Sequence, residues 1–251
     1  MKIVCIIQAR VGSTRLPKKI LLKVQEKEIL IHVLERVLRS KMIDEIIVAT
    51  TTNPNDEQIV KLLHEHPHSK IKISRGSEED VLDRYYQAAK DTGADIIVRI
   101  TSDCPLIDWD LIDQIIVEFQ KGEYDYISNV LDKRTYPRGL DVECFSFEVL
   151  DKMQKICKEK REREHVTTYI RENRAMFRTK NIEQDVDLSN LRWTLDEADD
   201  LKLITIIYNK LYQNKFDFNT EDIISLINKE PELAYINKHV EQKKNIHNEV
   251  N

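Results

Sequence analysis

Arg10, Ser13, Thr14, Arg15, Lys18 and Lys19 follow directly on the apolar run Ile3-Val4-Cys5-Ile6-Ile7. Two arginines and two lysines, with two hydroxyl residues among them, offer forked and point-like positive charge, the set that a polyphosphate requires. Gly12 and Ser13 let the main chain approach the same anion, so that backbone N–H groups can face it. A strand ending in such a loop puts it at the carboxyl edge of an open α/β sheet, where ligands bind. The expected ligand is a nucleoside triphosphate. Neither GxxxxGK[ST] nor GxGxxG occurs here, which disfavours a P-loop NTPase and a dinucleotide oxidoreductase. A run of charge is most simply a solvated surface loop, and the position straight after the first strand is what favours a site.

Other segments point to the same edge. Arg99-Ile100-Thr101-Ser102-Asp103-Cys104-Pro105 reads as a buried strand ending in small polar residues and an aspartate. A carboxylate facing a triphosphate makes sense with a hard divalent cation between them; its plain alternative is a helix cap, a role for which Asp108 is better placed. In Trp193-Thr194-Leu195-Asp196-Glu197, Asp196 precedes a long helical stripe, and its simplest role is that helix's N-cap. Ser74-Arg75-Gly76 ends a third strand, and Ser77 with Asp80 resembles a capping box; that local role leaves Arg75 and Arg84 unexplained. Alternation over 140–145 sets Asp141 and Glu143 side by side on one strand face, and Arg138 precedes them. Such carboxylates suit sugar hydroxyls, or simply a solvent-facing strand edge. His165 alone, and the His64-Glu65-His66-Pro67-His68 cluster, carry no clear signal of a site.

The elements that must position these residues alternate in the first half. Strands are expected at 2–7, 45–49, 71–74 and 95–100, each rich in Ile and Val as for strands covered on both faces. Helices are expected at 29–38, 56–64, 78–91 and 108–120, from apolar residues at three-to-four spacing. This alternation implies a parallel sheet with right-handed crossovers. The second half is less regular: a strand over 140–145, helices over 147–157 and 162–174, a strand over 177–180, and helices over 195–212 and 220–228, the last capped by Thr220. One domain over 1–236 and a polar, frayed tail over 237–251 are expected.

Bulk properties narrow the class. An apolar fraction of 41% supports a sizeable core, and a formal charge of -5 argues against a general nucleic-acid binder. The four cysteines, Cys5, Cys104, Cys144 and Cys157, form no CxxC pair and are expected as reduced thiols. No run approaches the ~18 apolar residues of a membrane span, and no secretory leader pattern opens the chain. The expectation is a soluble, cytoplasmic protein that binds neither nucleic acid nor membrane.

Taken in order, IIQARVGSTRLPKKIL, GSEEDVLDRYYQAA, RITSDCPLID, YPRGLDVECFSFEVL, EREHVTTYI and RWTLDEADDL resemble the motifs of cytidylyltransferases that activate sugar acids. The nearest likeness is to the SpsF-type branch associated with spore-coat polysaccharide biosynthesis, and it runs from Ile6 to about Leu201. The resemblance implies a three-layer, Rossmann-like α/β fold of the GT-A nucleotidyltransferase type, with a mostly parallel central sheet, in a family whose members are often dimers. It implies that Arg10, Ser13, Arg15 and Lys19, with Gly12 in the same loop, hold the triphosphate of CTP. Backbone near Gln8 and Ala9, with Arg75 and Gly76, would frame the base, and Asp103 and Asp196 would be the Mg²⁺ carboxylates. Arg10, Arg15, Lys19 and Asp103 would then carry the chemistry. Arg138, Asp141, Glu143, Glu164 and His165 fall to the acceptor, a sugar acid or sugar phosphate. The implied reaction is attack of an acceptor oxygen on the α-phosphorus of CTP, with release of pyrophosphate.

The chain departs from the pattern twice: Gln8 stands where the sugar-acid synthetases usually have proline, and Lys18 where LPGK has glycine. Two rivals are a GT-A glycosyltransferase that consumes a nucleotide sugar and a non-catalytic nucleotide-binding protein. Asp108-Trp109-Asp110 has the letters of a DxD metal motif, yet it follows a Pro-Leu-Ile turn and opens a helix.

Overall fold

The computed structural model describes residues 1–212 and 218–242. Strand β1 (Ile3–Gln8) leads through the basic loop to a short hairpin, β2 (Lys23–Val24) and β3 (Lys27–Glu28). Then come α1 (Ile29–Val37), β4 (Glu45–Thr51), α2 (Glu57–Glu65), β5 (Ile71–Gly76), α3 (Val81–Thr92), β6 (Ile96–Thr101) and α4 (Trp109–Phe119). Every strand and helix expected of this half is present, and each strand runs slightly further toward its carboxyl end. The β2–β3 hairpin is an addition: Gln25 and Glu26 take positive φ, at 50° and 59°, and turn the chain without a glycine to signal it.

The second half holds β7 (Tyr126–Ser128), β8 (Glu143–Ser146), α5 (Phe147–Ile156), α6 (Lys160–His165), α7 (Thr168–Glu172), β9 (Thr179–Asn181), α8 (Ala198–Leu211) and α9 (Thr220–Lys229). A seven-stranded sheet runs in the order β5-β4-β1-β6-β8-β7-β9. Neighbours from β5 to β6 pair in parallel, and β8 alone runs against both its neighbours. Alternation along β1 generates the three layers: Cys5 and Ile7 join the core shared with α1, α4 and α8, while Val4 and Ile6 face α3 and α5. The architecture is the mostly parallel α/β sandwich that the alternation of elements implied. All four cysteines are free and buried, and no described helix is long and apolar enough to cross a membrane.

Four expectations of the second half change. The strand over 140–145 begins only at Glu143, because the Asn129 side chain takes over the ladder's role: its Nδ2 donates to Leu140 O at 2.7 Å and its Oδ1 accepts from Val142 N at 2.9 Å. The helix over 162–174 breaks into α6 and α7 at buried Val166, whose φ and ψ are 56° and -60°. There the Thr167 N–H donates to His165 O at 2.6 Å, a tight γ-turn that is strained for a β-branched residue. Asn219, not Thr220, caps α9, with Asp222 completing a capping box. The body also extends past 236: Asn237 is buried, donating to Arg192 O at 2.9 Å and Asp200 Oδ1 at 2.8 Å, and Val240 is buried beyond it. Residues 243–251 of the expected tail lie outside the described residues.

Candidate active site

The carboxyl ends of β1 and β6 open into a cavity of about 660 Å³. Gln8, Ala9, Arg10, Gly12, Ser13, Arg15 and Lys19 line it from the first loop, Asp103 from the loop after β6, and Asp196 from the approach to α8. Glu164 and His165 reach it from α6. Eleven of the residues singled out from the sequence therefore share one cavity, although they span most of the chain.

Its most ordered part is a charge cluster. Lys19 Nζ donates to Asp103 Oδ2 at 2.6 Å and to Asp196 Oδ1 at 2.9 Å, so two carboxylates separated by 93 positions meet on one ammonium. Arg15 Nη2 pairs with Asp196 Oδ1 at 2.9 Å, and Arg192 Nη2 donates to Asp196 Oδ2 at 2.7 Å. Burial opposes the charged form of Lys19, but the charge and hydrogen bonds of Asp103 and Asp196 more than offset it, and its pKa lies above the ordinary lysine value. Burial likewise pushes the Asp196 carboxyl up, and Lys19, Arg15 and Arg192 pull it below the usual carboxylate range. Both groups are ionised at neutral pH.

Backbone contacts hold the two aspartates together. Asp103 O accepts from Leu195 N at 2.9 Å and from Thr194 Oγ1 at 3.2 Å, fastening the 193–196 segment to the end of β6. Asp196 does not cap α8. Glu197 is the N-cap, in a reciprocal box with Asp200, and the Asp200 carboxylate also accepts Asp196 N at 2.9 Å. The capping role proposed for Asp196 thus passes to its neighbour, and its own oxygens are left for cations.

Gly139 sets where this segment lies. Its φ is +103°, and a Cβ there would sit 2.6 Å from both Thr194 N and the Trp193 carbonyl carbon. Arg138 forms an isolated bridge to Arg192 across the same contact, with Trp193 N donating to Arg138 O at 2.6 Å. Gly139→Ala combines backbone strain with overpacking against main chain and is expected to cost about 2–5 kcal/mol. Urea denaturation should show that loss; a variant as stable as the parent contradicts the close approach.

Lys18 explains its own departure from the pattern. It adopts the left-handed conformation, φ 56° and ψ 27°, that glycine would take at no steric cost. Its Nζ donates to Gln58 Oε1 at 2.9 Å, outside the cavity, and leaves the inward position to Lys19.

Five residues expected at the site are not brought to the cavity wall. Arg75 turns outward, its Nε donating to Thr51 O at 3.0 Å and its Nη1 pairing with Glu57 at 2.8 Å. Gly76 is held in the β4–β5 ladder opposite Thr51. Arg138 works through its backbone, and Asp141 is engaged by both Nη atoms of Arg134, at 2.5 and 2.8 Å. Glu143 is buried beneath the cavity, bonded to Arg99, to Arg171 at 3.2 Å and to Tyr126 Oη at 2.9 Å. Asp141 lies before β8 begins, so the two carboxylates do not share a strand face.

The Glu143 cluster supports the wall from below. Arg99 Nη2 donates to Gln8 Oε1 at 3.0 Å, which ties the end of β1 to it. His165, set at the cavity by the turn at Val166, is half-buried; burial lowers its pKa, with Glu164 opposing, so it is neutral at pH 7. Thr101, Ser102, Glu78, Lys160 and Arg84 also line the cavity. The signal for Arg84 was its lack of a local role in the sequence; the others have none that composition or spacing separates from surface residues.

Known proteins resemble this chain over nearly its whole length. Residues 4–244 match the family model described as Cytidylyltransferase. An uncharacterized protein of Methanocaldococcus jannaschii is 43% identical over 97% of this chain and 97% of its own. The spore coat polysaccharide biosynthesis protein SpsF of Bacillus subtilis is 32% identical, over 92% of this chain and 96% of its own. Among solved structures, a cytidylyltransferase from Leptospira borgpetersenii superposes with a TM-score of 0.87 at 34% identity, covering 93% of this chain and 97% of that one. A family model spanning nearly the whole chain and relatives matched end to end leave one conclusion: the chain belongs to the cytidylyltransferase family.

Proposed function

We propose that this cytidylyltransferase transfers CMP from CTP to a sugar acid or sugar phosphate, releasing pyrophosphate, in the making of a surface or spore-coat polysaccharide. The observation that carries the proposal is the convergence of Lys19 and Arg15 on Asp103 and Asp196 at the carboxyl edge of β1 and β6. The motif resemblance to sugar-acid-activating enzymes and the likeness to SpsF support the acceptor class.

In this scheme Arg10, Arg15 and Lys19 bind the triphosphate and balance the charge that builds on the leaving pyrophosphate. The acceptor oxygen attacks the α-phosphorus from the side lined by Glu164 and His165. An acceptor phosphate needs no general base. Asp103 and Asp196 fit a hard divalent cation, since they are oxygen donors whose carboxylates already converge on one positive charge. No described group of three or more His, Cys, Asp or Glu side chains is arranged for a metal, and Mg²⁺ characteristically takes one or two carboxylates together with substrate phosphates. Those two residues would hold Mg²⁺, which would supply charge neutralisation on the phosphate oxygens. A homodimer belongs to the same proposal on the resemblance, and a cytoplasmic location on the four free, buried cysteines.

The glycosyltransferase alternative loses its metal motif. Asp108 Oδ1 accepts from Asp110 N at 2.8 Å and Leu111 N at 3.1 Å, capping α4, and Oδ2 bonds the Thr220 hydroxyl. A thermal-shift screen of the four nucleoside triphosphates with Mg²⁺ tests the proposal: CTP should stabilise most, and preference for ATP or GTP would overturn it. Arg15→Ala should weaken CTP binding roughly 10- to 100-fold, the scale of a hydrogen bond to a charged group. Calorimetric titration measures this, and an unchanged affinity would remove Arg15 from the phosphate site.

A further inference from the structure

Asp196 meets its cations from two sides. Its Oδ1 is held by Lys19 Nζ at 2.9 Å and by Arg15 Nη2 at 2.9 Å, and both of those residues line the cavity. Its Oδ2 accepts from Arg192 Nη2 at 2.7 Å, and Arg192 is not among the lining residues. One oxygen therefore faces the place where a ligand enters, and the other faces the protein.

The contact at the back is built as a lock. Arg192 Nε donates to Asp200 Oδ1 at 2.9 Å, while Asp200 Oδ2 accepts from the N–H groups of Asp196 at 2.9 Å and Glu197 at 3.0 Å. A single carboxylate thus fixes both the backbone that carries Asp196 and the guanidinium that grips its side chain. Asp200 is fully buried, which a carboxylate tolerates only when it is paired and hydrogen-bonded in this way. Asn237, itself 2% exposed, closes the arrangement. Its Nδ2 donates to Asp200 Oδ1 at 2.8 Å and to Arg192 O at 2.9 Å. Gln242 Oε1 accepts from Arg192 Nη1 at 2.8 Å, so each nitrogen of the guanidinium has an acceptor. The stretch over 237–242, expected from the sequence as a frayed tail, supplies two side chains of the lock.

The two cations in front are the ones that the proposed chemistry sends to the triphosphate. When Arg15 and Lys19 turn to phosphate oxygens, Arg192 is the partner that stays on Asp196. A planar fork can hold two carboxylates at a fixed angle, which an ammonium cannot do.

We propose that Arg192, locked by Asp200 and Asn237, is a positioning residue of the site: it clamps Asp196 Oδ2 and so presents Oδ1 to a phosphate-bound cation. The assignment rests on the metal-dependent CTP binding proposed above, and its test keeps the two apart. CTP is titrated calorimetrically into the full chain with Mg²⁺ and again with EDTA, and the ratio of the two affinities reports what the metal contributes. The same ratio, with the melting temperature, is measured for Asp196→Asn, Arg192→Lys, the double variant and Asn237→Ala.

Mg²⁺ should tighten CTP binding by the wild type, and this gain should shrink in Asp196→Asn. Arg192→Lys keeps the charge but loses the fork. It should lower CTP affinity with Mg²⁺ roughly tenfold or more, with the affinity in EDTA close to that of the wild type. Adding it to Asp196→Asn should cost nothing further, because it acts through that carboxylate. Asn237→Ala should reduce the gain in the same direction but by less, and it decides the matter if Arg192→Lys fails to fold. Equal losses with Mg²⁺ and with EDTA would make the lock merely structural and overturn the assignment, whatever the melting temperatures. Additive losses in the double variant would overturn it too. A wild type that gains nothing from Mg²⁺, or a full gain kept by Asp196→Asn, would instead bring down the metal assignment of Asp196, and the clamp with it.

Discussion

Asp103→Asn is expected to lower kcat/KM for CTP by roughly 10²–10³-fold, the scale of removing one preorganised electrostatic contact. Asparagine keeps the shape of the side chain and leaves Asp103's backbone carbonyl to Leu195 and Thr194, so the segment carrying Asp196 stays in place. Only the charge is lost. Lys19, held between Asp103 and Asp196 at 2.6 and 2.9 Å, keeps one anionic partner instead of two. The fall should appear chiefly in kcat, with an increased requirement for Mg²⁺, if Asp103 helps to hold the proposed cation that would neutralise the phosphates as their charge changes. Steady-state pyrophosphate release over a range of Mg²⁺ concentrations measures both effects. Near-normal turnover would take Asp103 out of the metal assignment.

Glu143→Gln should produce the largest loss of stability. The carboxylate is almost wholly buried among Arg99, Arg171 and Tyr126. Removing it strands two guanidinium groups, and breaking a buried pair in this way costs about 3–5 kcal/mol, equivalent to a drop in Tm of roughly 10 °C for a chain of this length. Burial alone would raise this carboxyl's pKa; Arg99 and Arg171, with hydrogen bonds from Thr167 and Tyr126, bring it from 4.5 to about 2. The folded state therefore holds the proton more weakly than the unfolded chain. The resulting stabilisation is complete above the unfolded value of 4.5 and is lost as pH falls toward 2. Urea melts from pH 7 to pH 3 should show the variant's deficit shrinking as the wild type gives up that contribution. Equal stability of the two proteins at pH 7 would contradict the buried network.

The first half of the fold was legible because its strands are short apolar runs covered on both faces, and its helices carry clear stripes. Residues from Ile3 to Ile7 needed only to be counted to place the loop that follows them. Around Asn129 and Val166 the letters mislead. At the first, a side-chain amide supplies bonds that the alternation over 140–145 assigns to a neighbouring strand. At the second, a valine adopts a turn that no valine signals.

The meeting of Lys19 with Asp103 and Asp196 was legible from their places at strand ends on one sheet edge, although the simplest sequence reading of Asp196 was a helix cap. The site was misread where burial decides. Glu143 and Asp141 have the same chemistry as surface carboxylates, and only the fold reveals that arginines have already claimed them. Arg75 and Arg84 could not be told apart in the sequence. One lies on the outer side of a strand end, the other on the inner face of a helix, and a single glycine between them makes room for the second. Lys18 shows the reverse case, where an unexpected residue adopts the geometry of the expected glycine and the loop keeps its course.

The central claim is the transfer of CMP, and product analysis tests it most directly. Purified protein is incubated with CTP, Mg²⁺ and a panel of sugar acids and sugar phosphates, with pyrophosphate followed by a coupled assay and nucleotide products by mass spectrometry. The account predicts acceptor-dependent pyrophosphate release with one CMP conjugate formed for each pyrophosphate. Transfer of sugar from a nucleotide sugar, with CTP left intact across the panel, would contradict it.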